Sequence, residues 1–295
     1  THSVKDGIPK SHFESEDLDL AQTIFGYISK DNKKALKGRV QFSHFKAVKN
    51  VTVLPRRTEI LGTPRASYYP IYVKQADGKL YSTFMDADFE IAGRKRYPIH
   101  ASNQTSRTEN TGNDNVGTTF VPLRDSVVFQ GKLRYHNLKK AEIGAILSAL
   151  TFHNTSNTFH NIGMAKSLGY GKIELKISGI SNINNYLKEF ELEIGKQIVN
   201  WAESEQLQEL LSMATQQNNQ DNSRLKYMEL KEFAKNKTGY EQDYLGVYTS
   251  LSNIKKIKPK SLLSEDENKN LIVKREEIKQ EIQKKLEEEA RLKAE

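Results

Sequence analysis

The chain of 295 residues carries 45 Lys and Arg against 37 Asp and Glu, and 37% of its residues are hydrophobic. This composition predicts a globular protein of one large domain or two modest ones, and it argues against a disordered chain. The absence of cysteine excludes a disulfide scaffold and a cysteine-ligated zinc site, and no apolar run is long enough to span a membrane. With no export signal, and with Thr1 in place of a starting Met, we expect a truncated cytoplasmic protein that does not associate with membranes.

Positive charge is concentrated in the first half of the chain. Residues 34–134 hold 17 basic and 8 acidic side chains, a net charge of +9, whereas residues 264–295 hold 8 basic and 10 acidic ones. A localised positive field attracts polyanions, among which nucleic acid is common in the cytosol. A basic surface that serves only solubility is the alternative.

The first 135 residues favour short elements. Residues 1–18 are expected to be a flexible N-terminal stretch, and 19–28 a helix. Strands are predicted where aromatic and β-branched residues are bounded by Gly or Pro, at 40–45, 69–73, 81–84 and 127–135. The Asn-, Thr-, Ser- and Gly-rich insertion near 102–117 is predicted to be a long mobile loop.

A helix and a strand flank a Gly-rich loop in the middle of the chain. Apolar residues at helical spacing predict a helix over 139–150, with Asn137 as its cap. Strict alternation of apolar and charged residues predicts a strand over 172–177. The order strand, helix, Gly-rich loop, strand is half of a ferredoxin-like unit.

The last third of the chain is predicted to be mainly helical. Helices are expected over 185–214, 225–234 and 274–293, with a polar linker over 216–223. We therefore predict three parts after the N-terminal stretch: an α+β domain over 19–180, a helical extension over 181–262 and a charged helical tail over 263–295.

The Gly-rich loop 163–171 is the first candidate for binding. Gly163, Gly169 and Gly171 let a backbone approach a ligand closely, while Lys166 and Lys172 supply positive charge for phosphate. The loop lacks the spacing of a nucleotide triphosphatase, and it follows a helix, which is the wrong order for a dinucleotide-binding motif. A purely structural turn is the alternative.

A second candidate is the segment Gly93-Arg94-Lys95-Arg96-Tyr97. Three cations beside an aromatic ring are typical of a phosphate track with a stacking platform. A solvated loop explains the same composition.

Several segments in order resemble the RAMP superfamily of CRISPR-associated proteins, and most closely the C-terminal part of its large single-chain branch. The segments that carry the resemblance share Gly, Arg and aromatic residues at similar places: 25–27, 38–44, 60–65, 93–97, 129–138, 142–147 and the loop 163–171. The match covers roughly residues 20–177. The first strand of such proteins and its Gly-rich helix start have no counterpart here.

The resemblance implies a partial ferredoxin/RRM-like fold, its C-terminal half with insertions, followed by a mainly helical region. It implies contacts with the guide RNA backbone, presentation of the guide to target RNA in antiviral defence, and assembly with other RAMP-type subunits. The missing N-terminal half would come from the same parent chain or a separate polypeptide. The residues expected at the RNA are Arg39, Arg94, Lys95, Arg96, Gly163, Lys166, Ser167, Gly169, Gly171 and Lys172.

Two enzymatic alternatives stay open. A target-cutting endoribonuclease would use a carboxylate with a divalent metal such as Mg²⁺, and Asp86, Asp88 and Asp125 are the candidates. A guide-processing ribonuclease would instead use a histidine as general base without metal. The candidate histidines are His44, His100, His136, His153 and His160. The binding subunit, which needs no cofactor or resident metal, is the leading hypothesis.

Overall fold

The computed structural model describes residues 18–29, 33–49, 51–61, 73, 84–87, 89–91, 96–103, 117–216 and 255–294. The chain divides into two compact units, each made of three segments. The first unit comprises residues 1–136, 159–174 and 212–255, and the second comprises 137–158, 175–211 and 256–295.

The first unit begins with a short capped helix, α1 (Leu20–Phe25). The Asp19 carboxylate accepts a hydrogen bond from the Gln22 amide at 2.7 Å, and the Gln22 side chain accepts one from the Asp19 amide at 3.0 Å. The helix ends where Gly26 takes a left-handed φ of 86°. The predicted helix over 19–28 is therefore too long, because β1 (Tyr27–Ile28) follows and pairs with β2 (Ala35–Leu36).

Most of the strand residues in the first unit form a two-stranded antiparallel structure, which we call the long ribbon (residues 40–60 and 117–135). Its two arms pair in successive sections, with a shift of register between Ala47 and Lys49. These sections are β3 (Val40–Phe42) with β8 (Leu133–Tyr135), β4 (Lys46–Lys49) with β7 (Val128–Gln130), the bridge Val53↔Leu123, and β5 (Arg57–Ile60) with β6 (Gly117–Phe120). The predicted strand over 127–135 is thus confirmed, with a break at Gly131 and Lys132.

A hairpin carries the Gly-rich loop. β9 (His160–Asn161) pairs antiparallel with β10 (Lys172–Ile173), and a 3₁₀ turn over Lys166–Leu168 lies between them. The prediction of a strand over 172–177 is wrong beyond Ile173, because residues 174–177 pair with no described strand.

The second unit is built on two packed helices, α2 (Lys140–Thr151) and α3 (Ile183–Gly195). Ile143, Leu147 and Leu187 form their buried core. The helices approach closely at Gly144, where a Cβ would overlap the Tyr186 carbonyl oxygen. α2 confirms the predicted helix over 139–150, but its N-cap is Lys139 and not Asn137, whose φ of 51° is left-handed.

The long helix predicted over 185–214 is wrong as a single element. α3 ends at Gly195, a 3₁₀ turn follows over Trp201–Glu203, and α4 (Glu205–Ala214) then begins. The charged helix predicted over 274–293 is confirmed and extends further, as α5 (Glu265–Ala294).

The described chain is thus a mixed α/β protein with small antiparallel sheets and a C-terminal helix. Its strands pair two by two in the parts that the structure describes. No helix among these residues is both long and apolar enough to cross a membrane. Several predicted elements lie wholly or largely outside the described residues: the strands over 69–73 and 81–84, the loop near 102–117, the linker 216–223 and the helix 225–234.

Candidate nucleic-acid interface

The long ribbon concentrates exposed positive charge. Its two arms carry seven Lys and Arg side chains, and every one of them is solvent-exposed: Lys46, Lys49, Arg56, Arg57, Arg124, Lys132 and Arg134. Its two carboxylates are Asp125, which is exposed, and Glu59, which is buried. The exposed surface of the ribbon is therefore strongly cationic, as a phosphate backbone requires.

Large apolar side chains are exposed on the same ribbon. Their exposed fractions lie between 43% and 62%, and they are Phe42, Phe45, Val48, Val51, Val53, Val121, Leu123, Val128, Phe129 and Tyr135. Ten in one ribbon are more than the single exposed apolar residues that protein surfaces commonly carry, and they indicate contact with a partner.

Cations and aromatic rings occupy neighbouring positions along the two arms of the ribbon. Arg134 pairs across the ribbon with Gln41, next to exposed Phe42. In the next section, Lys46 pairs with Gln130, next to exposed Phe129. Because successive strand residues point to opposite faces, each of these rings lies on the opposite face of the ribbon from the neighbouring cation. Together the two kinds of group supply phosphate contact and base stacking, with which proteins hold single-stranded nucleic acid.

One section of the ribbon reaches the Gly-rich loop. The ring of Phe120 in β6 meets the ring of Tyr170 edge to face, with centroids 5.3 Å apart. The same section is pinned by a hydrogen bond between the Thr58 and Thr119 hydroxyls at 2.9 Å. The ribbon and the loop, two separate features of the sequence, therefore meet in the first unit.

The second half of the Gly-rich loop is packed. Leu168 is fully buried, and a Cβ on Gly169 would lie 3.0 Å from the Ser102 carbonyl oxygen. A Cβ on Gly171 would overlap the carbonyl oxygen of Ile162, and Gly171 has a left-handed φ of 76°. These two glycines are required by the close approach of the protein's own backbone.

The first half of the loop is open. Gly163 is exposed, has a φ of 76°, and a Cβ there would meet no atom within 4 Å. Its neighbours Ile162 and Met164 are 54% and 52% exposed. This half of the loop is the part that a ligand can approach.

The two lysines of the loop make internal hydrogen bonds. The Lys166 ammonium donates to the Gly163 carbonyl oxygen at 2.6 Å. The Lys172 ammonium donates to Gln216 Oε1 at 2.8 Å and lies 5.4 Å from the centroid of the Phe159 ring. Both are half-buried, so each cation is held at a defined place beside the loop.

Arg39 stabilises the end of α1. Its Nε and Nη2 donate to the Thr23 carbonyl oxygen at 3.0 and 2.7 Å. Its own carbonyl oxygen accepts from the His136 amide at 3.1 Å, at one end of the long ribbon. The geometry makes Arg39 a link between α1 and the ribbon.

The basic segment predicted at 94–96 is described only at Arg96, since Arg94 and Lys95 lie outside the described residues. Burial lowers the pKa of the half-buried Arg96 guanidinium. Beside it, the Tyr97 carbonyl oxygen accepts from Asn161 Nδ2 at 3.0 Å, which ties this segment to the hairpin.

His100 lies beneath the Gly-rich loop and is only 6% exposed. Burial lowers the pKa of its imidazole, and a hydrogen bond with the main chain of Ser167 offsets part of this effect. A Cβ on Gly169 would lie 3.2 Å from His100 Cβ, so the histidine and the loop pack directly. His100 thus supports the loop, a role that composition alone does not reveal.

The candidate carboxylates do not converge in the described residues. Asp86 is half-buried in a turn over 84–87, Asp125 is exposed in a turn before Ser126, and Asp88 lies outside the described residues. Where side chains are described, no group of three or more His, Asp or Glu residues could hold a metal ion.

The candidate histidines have different surroundings. His44 and His136 are exposed, His160 is half-buried in β9, and His153 is buried in the second unit. His153 Nε2 lies 3.5 Å from Glu191 Oε2. Both nuclease alternatives stay predictions.

Comparison with known proteins adds no family. No protein-family model matches the chain, and no curated protein is significantly similar to it.

Proposed function

We propose that the chain is a subunit of a CRISPR RNA-guided effector complex, in which it binds the guide RNA backbone and helps present the guide to target RNA. The proposal combines the ordered series of RAMP-like segments with the cationic, aromatic surface of the long ribbon. Its partners would be guide and target RNA, other RAMP-type subunits and the N-terminal half of a ferredoxin-like fold. It would act in the cytoplasm, in antiviral defence.

The observation that carries the proposal is the exposed surface of the ribbon. Seven exposed cations face solvent with a single exposed carboxylate, Asp125, among them. Solubility alone would explain the exposed cations, but it would not explain why Phe42, Phe129 and Tyr135 are also exposed. Phosphate contact together with base stacking accounts for both.

The open half of the Gly-rich loop supplies a second contact. Exposed Gly163 allows the sugar–phosphate backbone to approach without meeting a Cβ. Lys166 lies against the Gly163 carbonyl oxygen and so places positive charge at that point. Contacts of this kind read the backbone, so we expect little sequence preference.

The test is the affinity of the full chain for a labelled single-stranded RNA, measured by fluorescence anisotropy at several salt concentrations. A ribbon variant replaces four exposed cations by Ala: Lys46, Lys49, Lys132 and Arg134. The slope of log affinity against log salt should fall by about 0.7 for each phosphate that the variant no longer neutralises.

A matched control removes the same charge from the second unit. It replaces four exposed lysines of α5 by Ala: Lys269, Lys274, Lys279 and Lys284. The control should keep the parental salt slope. Equal losses in the two variants would show that net charge alone attracts the RNA, and this would refute the ribbon as the site.

A further inference from the structure

A buried carboxylate in the second unit holds the segment that leads into α5. Glu191, on α3, is 3% exposed. Its Oε1 accepts from the Ser261 hydroxyl, and its Oε2 accepts from the Leu262 amide at 2.8 Å. The Glu191 carboxylate thus binds the side chain of Ser261 and the main chain of the next residue, Leu262.

His153 completes this cluster from the end of the other helix. Its Nε2 lies 3.5 Å from Glu191 Oε2, and its Nδ1 lies 3.1 Å from the Ser148 hydroxyl. The Trp201 ring packs edge to face on His153, with centroids 5.0 Å apart. Burial by itself raises the pKa of Glu191, but the nearby His153 imidazole and the hydrogen bonds from Ser261 and Leu262 outweigh it, so the carboxyl stays ionised.

The backbone is strained at His153 and at the residues on either side of it. Phe152, His153 and Asn154 take φ values of 50°, 54° and 56°, three consecutive left-handed residues and none of them glycine. Such conformations cost energy and persist only when the surroundings enforce them, and they concentrate at functional elements. The strain therefore indicates that the cluster of His153 and Glu191, with the segment that it holds, is a functional element.

The segment that the cluster holds is shallowly packed. Within residues 256–271, which we call the strap, Pro259 and Leu271 are the buried members. Leu262 is half-buried against the core of Ile143, Leu147 and Leu187. A partly enclosed cavity of about 160 Å³ lies under the strap, with Glu191 and Trp201 in its wall together with strap residues including Ser261 and Leu271.

Two further polar contacts of the strap are at the surface. Lys258 Nζ lies 3.6 Å from Glu203 Oε1, and both side chains are at least half exposed. The Lys188 ammonium lies 2.8 Å from Glu267 Oε1, with each side chain about a third exposed. Exposed ion pairs contribute little to stability, so the buried carboxylate is a stronger attachment than either of them.

We propose that residues 256–271 form a releasable strap, which the Glu191 carboxylate fastens over the α2–α3 helix pair. Release removes Leu262 from its place against the core of Ile143, Leu147 and Leu187 and frees α5 from the unit. The helix pair keeps its own core when the strap leaves. The inference does not depend on RNA binding.

The test uses the full chain and the Glu191→Gln variant, which preserves size and removes the charge. Trypsin should cut after Lys256 and Lys260 at least tenfold faster than in the parent, because cleavage follows the population of the open segment. Trp201 is the only tryptophan in the chain and lines the cavity, so its emission should shift to the red.

Glu203→Gln is the matched control. It makes the same chemical change at an exposed carboxylate that also meets the strap, and the cleavage rate should stay at the parental value. If trypsin also cuts the strap of Glu191→Gln at the parental rate, the proposal is wrong.

Ser261→Ala tests the strap from its own side. It removes the hydrogen bond that Ser261 donates to Glu191 and the one that it accepts from the Leu263 amide at 3.2 Å. It leaves the His153–Glu191 pair in place, so the helix pair is undisturbed. Faster cleavage confined to the strap supports the proposal even where Glu191→Gln fails to fold. If trypsin cuts the strap of Ser261→Ala at the parental rate, or if cleavage extends into α2 and α3, then the strap is a fixed part of the core and the proposal is wrong.

Discussion

Two glycines of the same loop share a backbone conformation but have opposite surroundings. Gly163 and Gly171 both have a φ of 76°, which a residue with a Cβ adopts at a cost. A Cβ on Gly163 would point into open space, whereas one on Gly171 would overlap the Ile162 carbonyl oxygen. The first glycine therefore leaves room for a ligand, and the second closes the hairpin.

Replacement of each glycine by Ala should separate these roles. We expect Gly171→Ala to lower the free energy of unfolding by about 3 kcal/mol, from backbone strain and overlap together. Gly163→Ala should lower it by about 1 kcal/mol, from the strain alone. Urea denaturation of both variants measures the difference, and equal losses would contradict the packing described for Gly171.

Residue type predicts the chemistry of a single position but not the group within the protein that its side chain contacts. Lys172 and Arg39 are expected at the RNA because they are cations in suitable segments, and their binding of RNA stays a prediction. The structure places their nitrogens against Gln216 Oε1 and the Thr23 carbonyl oxygen. These contacts join positions far apart in the chain, and local sequence carries no signal for them.

At the scale of elements, we expect the hairpin of β9 and β10, which packs on His100, to lose stability in acid. Since burial lowers the pKa of this imidazole, the folded hairpin favours the neutral ring. Stability is therefore complete above the unfolded pKa of about 6.5 and falls as the pH drops below it. Between pH 7.5 and 5.5, calorimetry should show a larger loss of melting temperature in the parent than in His100→Gln.

The control for this prediction is His44→Gln, which changes an exposed histidine on the long ribbon. It should keep the pH dependence of the parent. If His100→Gln also keeps it, the buried imidazole does not cause the acid sensitivity.

The sequence predicts the presence of helices well but not where they break. The apolar spacing of α2 identifies it, because one helical face repeats within a few residues. The apolar spacing over 185–214 hardly changes, and it therefore predicts one continuous helix. A 3₁₀ turn interrupts it after Asn200, which takes a left-handed φ of 50°.

The long ribbon cannot be predicted as a unit. Its arms, 40–60 and 117–135, are separated by more than fifty residues of other sequence, and pairing between distant strands leaves no local pattern. The sequence does indicate strands at 40–45 and 127–135, and positive charge across the whole region, although the first strand ends at Phe42. Only the structure shows that the charge and the exposed rings of both arms belong to one ribbon.

At the scale of the whole molecule, the two units have different surfaces. The first holds the cationic ribbon and the Gly-rich hairpin, and the second holds the helix pair, the strap and α5. The exposed side chains of α5 are mixed in sign, with basic and acidic residues interspersed. A polyanion is therefore expected on the first unit and not on α5.

The most direct test is photo-crosslinking of the full chain to a single-stranded RNA that contains 4-thiouridine, followed by mass spectrometry of the linked peptides. We expect the linked peptides to come from residues 40–60 and 117–135, with further links at 162–164, and to disappear at high salt. Links confined to the second unit, or none on the ribbon, would contradict RNA binding by this surface.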